Sequence, residues 1–169
     1  MIARIGWKGD EPVSVSRIQA GGILGLVTAT AAIDQLVKGL VVGALHLNES
    51  RPLIPGVLDL SYRQNHGVAF SALPHASAYL LVALNLLVIA LFIGFMLPQL
   101  QQRSARIALA LVCGGAVGNL IDRIRLGYVI DYLDFHFWPV FNLADTAIVI
   151  GVGLLLINHL FFHHPVPKS

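Results

Sequence analysis

Four long apolar stretches, separated by shorter polar segments, set the pattern of this chain. They cover about 18–42, 76–97, 104–126 and 142–162. A helix needs about 20 residues to cross a bilayer core roughly 30 Å thick. Each stretch is long enough, so the pattern predicts an all-α integral membrane protein with four transmembrane helices. Pro98 ends the second stretch, Gly127 is a natural helix stop after the third, and Pro165 follows the fourth. Two connecting segments have patterns of their own. From Val57 to Gln64 the chain alternates, with Leu58, Leu60 and Tyr62 on one face and Asp59, Ser61 and Arg63 on the other. That is the period of a strand, entered through Pro52, Pro55 and Gly56. From Tyr128 to Phe141 the chain is aromatic, with Tyr132, Phe135, Phe137 and Trp138 between, as suits a membrane–water interface. The prediction is one four-helix membrane domain over 18–162, with a small β element and a short aromatic loop on its outer side. The pairs Gly21/Gly25, Gly39/Gly43 and Gly114/Gly118 have the spacing that lets helices pack closely in lipid.

Composition supports lipid as the solvent. Of 169 residues, 56% are apolar and only 12% charged, against about 25% charged in soluble domains; mean hydropathy is +0.76. The net charge of +2 is small and scattered, unlike a nucleic-acid-binding surface. The single cysteine, Cys113, excludes an internal disulfide and a cysteine metal cluster. Residues 1–17 carry Arg4, Lys8, Asp10, Glu11 and Arg17 and lack the apolar run of a cleavable signal peptide. The first apolar stretch is therefore expected to stay as an anchor. An even number of spans puts the tails 1–17 and 163–169 on one side. With the 98–106 loop they hold six Lys/Arg, against five on the other side. The positive-inside rule then expects both termini in the cytoplasm. Seven of the nine acids fall on the opposite side.

The acids carry the chemistry. The uncharged part of the first span, Ile18–Ile33, has 16 residues, and that of the third, Ile107–Ile121, has 15. At about 1.5 Å per residue neither crosses the bilayer alone. Asp34 and Asp122 should then lie within the outer part of the membrane, where charge is costly and marks a functional site by default. Asp145 opens the fourth span from the same side, and Asp131 lies on the segment returning toward it. Each has a plainer explanation. Asp34 and Lys38 are spaced i,i+4, as in an ion pair on one helix face. Asp122 precedes Arg123 and Arg125 at a helix end. Asn142 and Asp145 have capping-box spacing. Asp131 is the hardest to dismiss, because Val129, Ile130, Tyr132 and Leu133 around it are apolar. The best partner for such an acid is a second one sharing its proton, as in an aspartyl protease. Asp145, in the first turn of a helix, is expected to hold the charge and Asp131 the proton.

These residues fall into five motifs, in order along residues 30–150. They are Asp34-Gln35-Leu36-Val37-Lys38; Asn65-His66-Gly67-Val68-Ala69-Phe70-Ser71; Gly118-Asn119-Leu120-Ile121-Asp122-Arg123; Gly127-Tyr128-Val129-Ile130-Asp131-Tyr132; and Phe141-Asn142-Leu143-Ala144-Asp145-Thr146. In register with four spans, they resemble the lipoprotein signal peptidase, or signal peptidase II, family. Departures from its pattern are small: Val68 stands for a common Ala and Tyr132 for a common Phe. The resemblance implies a helical outer loop beside the β element and a bacterial inner-membrane location. It implies an aspartic endopeptidase that cleaves prolipoproteins before a diacylglyceryl-modified cysteine, with no metal or other cofactor. Asp131 and Asp145 match its catalytic pair. Asn65, Gly67, Asn119, Asp122, Arg123 and Asn142 match positions that support the site or bind substrate, and Asp34 and Lys38 match a pair close by. Membrane lipid and prolipoproteins are the expected partners, globomycin an expected inhibitor, and a monomer the expected state.

Other chemistries fit less well. His159, His163 and His164 lie toward the opposite end of the molecule from His46, His66, His75 and His136, and no H-E-x-x-H occurs. Leu111-Val112-Cys113-Gly114 loosely resembles a lipobox, but it lies inside the third span, where Cys113 reads as packing. A Ser or Cys nucleophile would need a general base that the sequence does not pair with one. A small proton-coupled transporter would also keep an acid in a short helix, and a non-catalytic assembly protein would tolerate loss of both acids.

Overall fold

A computed structural model describes residues 16–67 and 78–162. Most of the polar N-terminal tail, Val68–Ser71, His75 and residues 163–169 lie outside the described residues. The helices fall on the apolar stretches: α1 (Arg17–Ala44), α2 (Ala78–Met96), α3 (Arg103–Leu126) and α4 (Leu143–Phe162). A short 3-10 turn, Leu97–Gln99, joins α2 toward α3. Ser16 and Gln19 close a reciprocal capping box at the start of α1. Gly127, at φ 81°, ends α3 in the left-handed conformation that glycine adopts without strain. By length and composition α1 and α3 suit a membrane crossing. The described apolar parts of the other two, Leu80–Met96 and Leu143–Ile157, are shorter. Leu24, Val88, Leu91, Val149 and Leu160 are all exposed on these helices. A helical exterior of that kind needs an apolar surround.

α3 is the central helix: it packs against α4, α1 and α2. Its glycines explain the closeness. A Cβ on Gly114 would meet the Thr30 side chain of α1 at 2.6 Å, and one on Gly118 would meet Asp34 Oδ2 at 2.6 Å. A Cβ on Gly115 would collide with the Ala144 carbonyl of α4. Gly21, Gly25, Gly39 and Gly43, expected as close-packing positions, have nothing within 4 Å of an added Cβ. The small-residue packing belongs to α3, and to Gly151 of α4 facing Ala108 and Val112. Cys113 is buried beside Met96, Leu100 and Leu109, a packing position as expected.

At one end of the bundle lies an antiparallel sheet of β1 (Ser50–Ile54), β2 (Leu58–Asn65) and β3 (Val129–Asp134), in that order. β1 and β2 form the expected β element. The aromatic segment supplies a third strand: β3 pairs with β2 from Asp59↔Asp134 to Asn65↔Val129. Between β3 and α4 the chain makes bends and one bridge, Leu133 with Phe141, and no helix. The register shifts between Leu60 and Arg63. An extra residue there breaks the simple alternation, and both Ser61 and Tyr62 are buried. Tyr62, Ile130 and Tyr132 pack on Val41 and Leu45, fixing the sheet to the end of α1.

Candidate active site

A cavity of about 810 Å³ lies beneath the sheet. Asp131, Asp145, Asn65, Asn119 and Arg123 line it, with Leu81, Asn85 and Val88 of α2 and an aromatic wall that includes Phe137 and Trp138. Asp131 and Asp145 therefore share one chamber, as the sequence predicted, although they come from a strand and from a helix. The residue that joins them is Asn142. Its Nδ2 donates to Asp131 Oδ1 at 2.8 Å, and its backbone N–H donates to Asp145 Oδ2 at 3.2 Å. The Asp145 N–H returns a bond to Asn142 Oδ1 at 2.9 Å, so the capping box is real and coexists with the site.

Each carboxylate receives a second amide. Asn65 and Asp131 are diagonal neighbours across β2 and β3, close enough for side chains to meet. Asn65 Nδ2 donates to Asp131 Oδ2 at 2.9 Å. Asn119 Nδ2, from α3, donates to Asp145 Oδ1 at 2.8 Å. Burial pushes the Asp131 carboxyl up to about 7; the Asp145 charge adds to the rise, while the bonds from Asn65 and Asn142 and the Lys38 charge oppose it. Asp131 thus holds a proton well above the usual carboxylate range. Asn65 also fixes the next turn: its Oδ1 accepts from Gly67 N–H at 3.0 Å. The Gly67 carbonyl in turn lies 3.5 Å from Arg123 Nη2.

Behind the cavity sits a buried polar cluster. Lys38 Nζ is 2.8 Å from both Asp34 Oδ2 and Asp122 Oδ2, and it donates to Asn119 Oδ1 at 3.0 Å. All three charged side chains are almost wholly inaccessible. The Asp34–Lys38 pair is as expected from its spacing. The partner of Asp122 is not. Its carboxylate takes Lys38, Gln35 Nε2 at 2.8 Å and the Ile130 N–H at 3.2 Å, so the ion pair expected with Arg123 or Arg125 gives way to the interior lysine. Arg125 instead reaches Gln35 at 3.4 Å. Asn119 transmits the cluster to the cavity, because its one oxygen accepts from both Lys38 and Asn142. Sequence reasoning missed Tyr132 and Gln35 as supports. The Tyr132 hydroxyl accepts from the Leu143 N–H at 3.1 Å, and burial pushes that phenol up to about 12. Among the described residues, His136 pairs with Asp59 at 3.0 Å, and the His66 ring lies beside Tyr128.

A chamber at the end of an apolar bundle, holding two amide-bound carboxyls with one proton kept near neutrality, suits water activation and peptide hydrolysis. Comparison with known proteins agrees. The signal peptidase (SPase) II family profile matches residues 26–161. A lipoprotein signal peptidase of Halothermothrix orenii is 44% identical over 132 residues, covering 78% of this chain and 90% of its own length. Those of Syntrophotalea carbinolica and Geobacter metallireducens are 42% and 45% identical, covering 80% of this chain and 88% and 89% of theirs. The fold is similar to that of two bacterial membrane enzymes solved by the in meso method. One has TM-score 0.76 at 23% identity, covering 88% of this chain and 95% of its own. The other has TM-score 0.72 at 24% identity, covering 85% and 95%. With its apolar helical exterior, the chain is an integral membrane protein. Profile, relatives and residues converge: it belongs to the signal peptidase II family.

Proposed function

We propose that Asp131 and Asp145 are the catalytic residues of this enzyme and act as a pair on one water molecule. The protein is an aspartic endopeptidase that removes signal peptides from prolipoproteins. In the mechanism we favour, Asp145 is the ionised member, at the first turn of α4 where the helix dipole favours an anion. It takes a proton from water as the oxygen attacks the scissile carbonyl carbon. Asp131, carrying its proton, donates to the carbonyl oxygen. As the tetrahedral intermediate collapses and the C–N bond breaks, Asp145 passes the proton it took from water to the departing amine, and Asp131 recovers a proton from the hydroxyl that becomes the new carbonyl. The observation that carries this reading is Asn142, bonded at once to both carboxylates.

The remaining residues support that pair. Asn65 and Asn119 hold the two carboxyls, and Gly67 shapes the turn after β2. Asp34, Lys38 and Asp122 fix α1, α3 and the sheet around them. Arg123 offers a permanent cation to carbonyls of the bound chain. The substrate cut is the bond before a diacylglyceryl-modified cysteine, and globomycin competes for the same cavity. The protein crosses the bacterial inner membrane four times as a monomer, over about 18–42, 76–97, 104–126 and 142–162. Its termini are cytoplasmic and its sheet extracytoplasmic. The test is incubation of purified enzyme with a diacylglyceryl prolipoprotein and a gel shift. Wild type should release the signal peptide; an unshifted substrate would remove the proposed specificity.

A further inference from the structure

Apart from Tyr79 near its start, α2 is apolar except for one side-chain amide, Asn85. Asn85 lines the cavity with Asp131 and Asp145. Its Oδ1 is buried and has no hydrogen-bond partner. A buried carbonyl oxygen without a donor is costly, and structural amides in membrane helices are retained because they bond across to another helix. Among the described residues none gives Asn85 Oδ1 such a bond. It follows Ala78 by seven residues, and Asn119 precedes Leu126 by seven. At about 1.5 Å per residue both lie roughly 10 Å below the sheet end of their helices, and Asn119 itself holds Asp145. Asn85 therefore stands near the depth of the catalytic pair, on the separate wall that α2 provides.

The other lining amides are already engaged. Asn65 bonds Asp131 and the Gly67 N–H, and Asn119 bonds Asp145, Lys38 and Asn142. Thr146 Oγ1 donates to the Asn142 carbonyl at 3.0 Å. A substrate peptide must be extended where it is cut, so its backbone N–H groups lose their helical partners inside an apolar chamber that supplies few replacements. Because Oδ1 is an acceptor, its missing partner is a donor. Acyl chains and glyceryl esters carry no donor; a peptide backbone does. We propose that Asn85 is a substrate-positioning residue, whose side chain turns its oxygen into the cavity to accept a backbone N–H of the signal peptide near the scissile bond. The assignment rests on the peptidase reading above and adds a recognition contact on α2.

The test uses full-length enzyme in detergent with a lipidated prolipopeptide, and with ester analogues in which one backbone N–H near the cut is replaced by oxygen. Asn85→Leu keeps the branching and the number of heavy atoms and removes the polar ones. It should raise KM about 3- to 10-fold, the worth of one hydrogen bond, with kcat near wild type and thermal stability unchanged or higher. One ester position should cost wild type a similar factor and cost Asn85→Leu nothing further. Wild-type KM in Asn85→Leu, or equal ester losses in both enzymes at every position, would overturn the assignment. A lowered melting temperature with the activity loss would do so too, since it would mark a structural amide. Wild type that leaves the parent peptide uncut would instead overturn the peptidase reading, and this contact with it.

Discussion

Asp131 and Asp145 are each held by two amide donors, and that symmetry bears on what a substitution does. Asp131→Asn and Asp145→Asn keep size and one acceptor, so both variants should fold and insert. Each should lose cleavage by at least about a thousandfold, as removal of a paired catalytic group does; full activity in either purified variant would exclude that residue from the chemistry. The Asp131 carboxyl, pushed up to about 7 by burial, keeps its proton below that value and loses it as pH rises through it. The proton-donating form is present on the acid side, so kcat/KM should fall above about pH 7; a rate flat to pH 9 would contradict the donor role. Lys38 answers two buried carboxylates at once. Lys38→Met should cost roughly 3–5 kcal/mol, because it strands both charges, and thermal unfolding in detergent would register it. The meeting of Asp131 and Asp145 in one cavity was legible in the sequence because Asp131 sits among apolar neighbours, where a lone acid is hardest to explain blandly. The partner of Asp122 was not: Arg123 and Arg125 are adjacent in sequence, whereas Lys38 is reached only by packing α1 on α3. Asn85 went unread because a single amide in an apolar helix ordinarily signals interhelical bonding, and only the structure leaves its oxygen without a donor.

The N-terminus of α4 is the element on which the site turns. A helix start has N–H groups without internal partners. Here each comes from a different quarter: Leu143 N–H goes to Tyr132 of β3, Ala144 N–H to Asp34 of α1 at 3.0 Å, and Asp145 N–H to its own cap, Asn142. The position of Asp145 is thereby set by two other elements together with the helix's own cap. Close approach of α3 allows it, which gives a prediction at this scale. Gly115→Ala places a methyl group against the Ala144 carbonyl and should cost about 1–3 kcal/mol by overpacking, with a loss of cleavage as α4 is displaced. Gly94→Ala, which has open space around an added Cβ, should leave both stability and cleavage near wild type. Equal effects at the two glycines would deny the α3–α4 contact its role. The helices were readable from hydropathy alone, since lipid-length apolar runs have few alternatives. β3 was not, because Val129, Ile130, Asp131 and Tyr132 are all buried. A strand covered on both faces loses the alternation by which β2 was recognised.

For the molecule as a whole, the polar interior is confined to one end, and the sides are apolar. The proposed orientation puts that end outside the cytoplasm. A reporter fused after Ser169 should register in the cytoplasm and one inserted near Pro52 on the far side; the reverse result would put the cavity on the wrong face for exported substrates. The basic residues give this as a six-to-five majority; the sheet and cavity distinguish one end of the bundle from the other. The capping of α4 by Asp34 and Tyr132 has a further consequence, for biosynthesis. A chain enters the membrane in the order in which it is made, N-terminal segments first. Asp34, Lys38 and Asp131 are all made before Asn142 and Asp145, and until those two follow the proposed pair is incomplete. The order of residues along the chain thus sets an order in time: on the proposed mechanism a molecule made only as far as β3 holds one of the two carboxyls, and hydrolytic competence arrives only when α4 docks.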